Sequence, residues 1–181
     1  MSDSLFSQTY CLDYQVPDSA CTATAYLCGV KNNYGTIGVT AQVPLRDCAA
    51  STDNSTHLSS IAEWALNAGK DAGIVTTTRI THASPAGAFA RVANRDWEND
   101  AEVLVDNADP LVCRDIAHQL VHEYPGNRFK ALEVIVVCLY GHSFVVDPLV
   151  YSIFNSRRFT PLAVVPMTLF YVPENIYEEP K

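Results

Sequence analysis

"LSSIAEWALNAGKDAGIVTTTRI", residues 58–80, is the stretch whose reading decides the fold. Leu58, Ile61, Trp64, Ala65 and Ala68 recur at helical spacing, and Gly69 closes the segment. Four residues later "GIVTTTRI", 73–80, is rich in β-branched side chains and reads as a buried strand. Upstream, "TIGVTAQV", 36–43, alternates well enough for another strand, set off by the turn Asn32-Asn33-Tyr34-Gly35. Strand, helix and strand at this spacing predict a crossover unit of a parallel sheet, and so an α/β chain.

Outward from that unit, 5–16 reads as extended up to Pro17, and 19–28 as a short buried helix rich in Ala and Thr. Leu111, Ile116, Leu120 and Val121 predict a second amphipathic helix over 111–123. After Lys130 the character changes. Residues 131–154 are strongly apolar but interrupted by Glu133, His142, Asp147 and Pro148, which makes them a marginal membrane span and better buried strands. The chain has 181 residues, 48% hydrophobic and 18% charged, with a formal net charge of −8. That is a globular composition. Six carboxylates crowd residues 96–109, and Arg157-Arg158 is the nearest thing to a basic cluster, so nucleic acid is excluded as a partner class. The six cysteines show no CxxC spacing, which disfavours a zinc ribbon. Asn54-Ser55-Thr56 is an N-glycosylation sequon. The N-terminus shows no signal peptide.

Chemistry concentrates in two places. In "QVPDSACTATAYLCGV", 15–30, Asp18-Ser19 stands where a helix begins. Unpaired N–H groups and partial positive charge there stabilise an alkoxide or bind phosphate. Taken alone, Asp18 or Ser19 reads first as an ordinary helix cap, ahead of a catalytic role. In "TTTRITHASPAGAFARVANRDW", 76–97, Thr81, His82 and Ser84 follow a predicted strand end, where ligands gather in parallel sheets. An extended segment would point His82 and Ser84 to one side, suiting a hard cation; in isolation His82 reads first as a histidine capping a loop. Arg95 has the guanidinium fork that holds phosphate, or else pairs with a nearby acid. His118 and His122, i and i+4 beside Glu123, read as solvated.

Together these segments resemble the alkaline phosphatase family in its animal form, over about residues 5–130; "CRDIAHQLV" extends the likeness. The resemblance implies a partial three-layer sandwich around a mostly parallel sheet, with 1–130 a partial domain and 131–181 a divergent tail. It implies a phosphate monoester hydrolase that acts through a phosphoserine with zinc and magnesium. Ser19 would be the nucleophile, Arg95 the phosphate clamp and Asp18 its orienting partner. His82 and Ser84 match the magnesium-site segment. Cys48 and Cys113 match a disulfide pair, which implies an oxidising, extracellular or cell-surface setting and gives Asn54 weight as a glycan site. Family members form homodimers, and some carry a lipid anchor. No segment matches the family's zinc ligands; His142 and Asp147 match no motif, and Tyr14 stands where many members carry arginine. A second reading follows: an inactive fragment that at most binds phosphate or a partner.

Overall fold

A computed structural model describes residues 8–134 together with the short strands at 139–140 and 143–144. The readings that fall on His142, Asp147, Arg157-Arg158 and the rest of the tail lie outside the described residues. In chain order the elements are α1 (Ser19–Cys28), α2 (Cys48–Ser51), α3 (Ile61–Asn67), β1 (Gly73–Thr76), α4 (Ala83–Ala86), α5 (Asp100–Val105), α6 (Ile116–His122), β2 (Ala131–Val134), β3 (Leu139–Tyr140) and β4 (Ser143–Phe144). β1 and β2 pair in parallel, Gly73 opposite Ala131 through Thr76 opposite Val134, and β3 pairs antiparallel with β4. The chain between β1 and β2 is a long helical crossover, so the class is α/β as the sequence predicts.

The predicted crossover partner is different. No strand forms over 36–43; Ile37 bridges Val92 and Val39 bridges His57 as isolated pairs. The reason is local. Gly38 takes a left-handed φ of 64°, which interrupts the extended run. The Asn33 side chain then donates to the carbonyls of Ala41 and Val43, at 2.8 and 2.9 Å, curling the segment into a turn. β1 therefore finds its neighbour in β2, whose Ala131 lies 58 positions beyond Gly73.

Other elements are shorter than the periodicity implies, and their caps say why. Ser60 accepts from the Glu63 amide and starts α3. Asp115 accepts from the His118 amide and starts α6, just past Cys113. On α3, Ile61 and Trp64 remain 43% and 53% exposed, so its apolar face is not buried among the described residues. Leu111 and Val121 are likewise exposed. β1 is covered on one side only: Ile74 and Thr76 are buried, while Val75 is half-buried. Ile74 belongs to the core, whose larger members are Ile37, Val39, Val43, Phe89, Val92, Trp97, Val103, Ile116 and Leu120. Each large side chain there contributes about 1.5–3 kcal/mol by burial. Against that core α1 packs on α4 through Ala20, Ala23, Ala83 and Ala86, all at most 1% exposed. A Cβ on Gly87 would sit 2.7 Å from that of Ala23. Small residues let these two helices approach closely, and that approach positions the site.

Candidate phosphate-binding site

The site is built where two helix N-termini converge on one arginine. Asp18 caps α1: its Oδ1 accepts from the Cys21 amide at 3.0 Å. Its other oxygen, Oδ2, accepts from Arg95 Nη1 at 3.1 Å. Asp18 thus caps α1 with one oxygen and holds the Arg95 guanidinium with the other. The Asp18 side chain is 4% exposed, which makes the pair a desolvated one, while Arg95 at 27% keeps an open side. Ser19 is the first residue of α1. Its amide and that of Ala20 have no intrahelical acceptor, so they are donors available to an anion beside Ser19.

His82 caps α4, and Arg95 Nη2 lies 3.3 Å from its Nε2. The segment is therefore a helix cap rather than an extended strand end: β1 stops at Thr76, and the chain turns through 77–81 before α4. In place of two side chains aimed one way, the Ser84 amide donates to His82 Nδ1 at 3.3 Å, and Ser84 is buried in α4 at 3% exposure. A neutral imidazole has only one acceptor nitrogen. The Ser84 and Arg95 contacts are consequently alternatives, each belonging to one tautomer. Burial first, then the Arg95 and Arg79 charges, hold the His82 pKa below its ordinary value, while Glu98 opposes them. His82 is thus kept neutral beside a guanidinium.

Glu98 closes the side of the site. It accepts both Arg79 Nε and Nη2, at 3.0 and 2.6 Å, and the Thr81 hydroxyl. The Arg79 fork, more than any other influence, lowers its pKa. Arg95 itself is aimed from behind. Its amide donates to the Gly35 carbonyl at 2.7 Å. Asp106 Oδ2 accepts from Asn94 Nδ2 at 2.7 Å and from Trp97 Nε1 at 2.8 Å, fixing the residues on either side. Asp106 Oδ1 takes Arg46 Nε at 3.1 Å. One carboxylate of the acidic 96–109 segment therefore serves the loop that presents Arg95, a role its place in a charge run concealed.

Cys48 and Cys113 are bonded, with Cα atoms 5.7 Å apart. A second disulfide, Cys11–Cys21, also with 5.7 Å between Cα atoms, was not anticipated from the sequence. Cys28 is the free cysteine among the described residues; burial pushes its thiol up to about 11. Asn54 is exposed on a single 3-10 turn. His118 and His122 stack at 4.8 Å away from this site, and Tyr14, 61% exposed, lies against Tyr34. No helix among the described residues is long and apolar enough to cross a membrane.

The alkaline phosphatase family model matches residues 4–135. The chain belongs to the alkaline phosphatase family. It is 65% identical to a membrane-bound alkaline phosphatase of Bombyx mori over 126 residues, which is 70% of this chain and 23% of that protein. It is 52% identical to the tissue-nonspecific isozyme of Gallus gallus over 119 residues, 66% of this chain and 22% of that protein. A solved TAB5 alkaline phosphatase mutant with Mg bound in the M3 site is 36% identical, at a TM-score of 0.40, over 49% of this chain and 22% of that one. The chain spans under a quarter of the length of these curated relatives.

Two metals belong to the chemistry that the resemblance implies, and the described residues do not fit either as they stand. His82 has one nitrogen facing the Ser84 amide and the other facing a guanidinium, so it offers no free lone pair to magnesium; of the two residues in the matched segment, the Ser84 hydroxyl alone suits a hard cation, and the nearby Glu98 carboxylate is taken by Arg79 and Thr81. Among the described residues, Cys11, Asp18 and Cys21 are the group of candidate ligand atoms lying within 4.8 Å of one another. Two of those atoms are sulfurs bonded to each other, not thiolates.

Proposed function

We propose that this chain supplies the nucleophile and the phosphate clamp of a phosphate monoester hydrolase. The observation that carries the reading is the Arg95 guanidinium, held by Asp18 and His82 at the start of the helix that begins with Ser19. An arginine pinned on one side by a buried carboxylate keeps its remaining donors in one plane for two phosphate oxygens. The Ser19 and Ala20 amides and the α1 terminus add donors and partial positive charge for a third. In that pose the Ser19 hydroxyl oxygen attacks phosphorus. The bond to the substrate's alkoxy oxygen breaks, and the serine proton ends on the departing alcohol. Water then releases phosphate from phosphoserine and restores Ser19. Zinc and magnesium, which the family resemblance implies, would supply charge stabilisation to such a reaction only if held by groups other than these side chains. Two disulfides favour an oxidising compartment, hence an extracellular or cell-surface setting in which Asn54 is open to glycosylation. Residues 1–130 would form the family domain and 131–181 a tail of another character; homodimerisation and a membrane link through a lipid anchor would follow from the family resemblance.

A second reading, phosphate binding without turnover by this 181-residue chain, is favoured by the failure of the described residues to assemble a zinc-ligand set. Two measurements test both. Inorganic phosphate should bind the chain, and Arg95→Ala should weaken it by about a hundredfold, the scale of a lost charge-assisted bidentate contact. Undiminished binding by Arg95→Ala overturns the clamp. Release of nitrophenol from p-nitrophenyl phosphate with zinc and magnesium present, abolished by Ser19→Ala, supports the first reading; binding without release supports the second.

A further inference from the structure

The unanticipated disulfide lies around the candidate nucleophile. Cys11 and Cys21 close a ring of the chain that contains Pro17, Asp18 and Ser19, and both are nearly inaccessible, at 1% and 2% exposure. The ring closes on Asp18. The Cys11 sulfur lies 3.8 Å from Asp18 Oδ1, the oxygen that also takes the Cys21 amide, and the Cys21 sulfur lies 3.8 Å from the Asp18 carbonyl oxygen. The remaining oxygen, Oδ2, is the one on Arg95.

The other end of that ion pair returns to the same loop. The Arg95 amide is held by the Gly35 carbonyl. The turn that ends at Gly35 is held to the segment following Cys11. The Leu12 amide donates to the Asn32 carbonyl at 2.9 Å, and the Tyr34 amide to Asp13 Oδ1 at 2.7 Å. Lys31 Nζ adds bonds to the Gln8 and Tyr10 carbonyls. The contacts therefore form a closed circuit from Cys11 through the 32–35 turn to Arg95, across to Asp18, and back through Cys21 to Cys11. Of its links, the disulfide alone is covalent beyond the backbone. Without it, the 8–16 segment, which has no strand or helix of its own, is joined to the start of α1 by the backbone at 16–18 and by the non-covalent links of the circuit alone.

We infer that Cys11 and Cys21 are positioning residues of the phosphate site: their disulfide fixes Asp18 against Arg95, and so sets phosphate affinity beyond its effect on stability. The inference rests on the reading of Arg95 as the clamp. A purely stabilising role predicts the opposite ranking of the two bridges. In the chain-entropy account, Cys48–Cys113, with a separation of 65, constrains the unfolded chain more than Cys11–Cys21, with a separation of 10.

The test compares the 181-residue chain with Cys11→Ser/Cys21→Ser, with Cys11→Ala/Cys21→Ala as a second form, and with Cys48→Ser/Cys113→Ser. Inorganic phosphate is titrated into each, and each is also made in an Asp18→Ala background. Losing Cys11–Cys21 should weaken phosphate about tenfold, since a clamp misplaced by an ångström loses up to about a hundredfold. Losing Cys48–Cys113 should leave phosphate affinity within about twofold. In the Asp18→Ala background, removing Cys11–Cys21 should change affinity by less than about twofold, because the group it acts through is gone. Unchanged affinity without Cys11–Cys21, an equal loss without Cys48–Cys113, or an equal loss in the Asp18→Ala background overturns the inference. Hydrogen exchange at the residue 21 amide gives an arm that needs no phosphate, and it should speed up about tenfold as the bond to Asp18 Oδ1 loosens. If the parent chain binds no phosphate, the clamp reading falls, and unchanged exchange at residue 21 then removes the positioning role as well.

Discussion

Asp106 offers the sharpest test of how the Arg95 loop is held, because its two oxygens do different work. Oδ2 accepts from Asn94 Nδ2 and Trp97 Nε1, whose residues are 4% and 1% exposed; Oδ1 faces Arg46, whose side chain is 60% exposed. Asp106→Ala strands two buried donors, each costing about 1–3 kcal/mol. The Arg46 pair, open to water on one partner, adds at most about 1 kcal/mol. The expected loss is about 3–5 kcal/mol, a large part of a small domain's stability. Asp106→Asn behaves differently. A side-chain carbonyl has two lone pairs and can still receive both Asn94 and Trp97, while its amide turns toward the exposed Arg46. Only charge assistance is lost on the buried side, so the cost should be about 1–2 kcal/mol. Urea unfolding followed by tryptophan fluorescence measures both, with Trp97 as a local reporter. A loss below about 1 kcal/mol for Asp106→Ala, or equal losses for the two variants, would refute the assignment of Oδ2 as the acceptor that holds this loop.

Two further outcomes follow from neighbouring contacts. Gly38→Ala would drive a Cβ into the Ala90 carbonyl at a φ of 64°, and should cost about 2–4 kcal/mol from left-handed strain and overpacking together; a neutral effect in the same urea assay would mean the turn relaxes freely. Glu98, whose pKa is lowered chiefly by the Arg79 fork, should contribute stability that is present above the ordinary value of 4.5 and lost as pH falls through its depressed folded value; Glu98→Gln should flatten the pH dependence of unfolding in that window, and an unaltered slope counts against the pairing.

What could be read from the sequence was what depends on near neighbours in the chain. α1 forms over Ser19–Cys28, as its small residues after a Pro-Asp suggest, and the class is α/β. Strand partners were not legible in the same way. A left-handed Gly38 looks no different in sequence from any strand glycine, and the pairing of 73 with 131 is set by packing across 58 positions. Helix ends were overextended because periodicity counts apolar residues, whereas Ser60 and Asp115 set the true starts through single hydrogen bonds. In the site, the residue types at 18, 19, 82, 84 and 95 drew attention in the sequence, and the structure brings four of them together: Arg95 joins Asp18 and His82 beside Ser19. The double duty of Asp18, the bridging of Cys11 to Cys21 and the service of Asp106 to its loop are three-dimensional facts with no local sequence signal. A cysteine two positions after Ser19 and another seven before Asp18 were the only hint, and spacing alone does not choose among six cysteines.

The energetics of the arrangement separate holding a phosphate from transforming it. A helix terminus contributes about 0.3–2 kcal/mol toward an anion, and a desolvated arginine about 1.5–3 kcal/mol per hydrogen bond. These terms suffice for binding. They act on a bound phosphate ester and on its transition state nearly alike, however, since both present the same three peripheral oxygens. Uniform binding of that kind lowers KM and leaves kcat untouched. Hydrolases lower their barriers by about 8–23 kcal/mol, and the difference must come from groups that meet the attacking and departing oxygens specifically. In the proposed reading Arg95, aimed by Asp18, and the first α1 amides would serve the peripheral oxygens, and Ser19 would supply the attacking one. His82, neutral and faced by a guanidinium, is not arranged to take the serine proton. On that reading the described residues account for holding a phosphate and for offering a nucleophile, and not for turnover. Stabilisation of the two reacting oxygens, which turnover requires, has to come from groups other than these side chains.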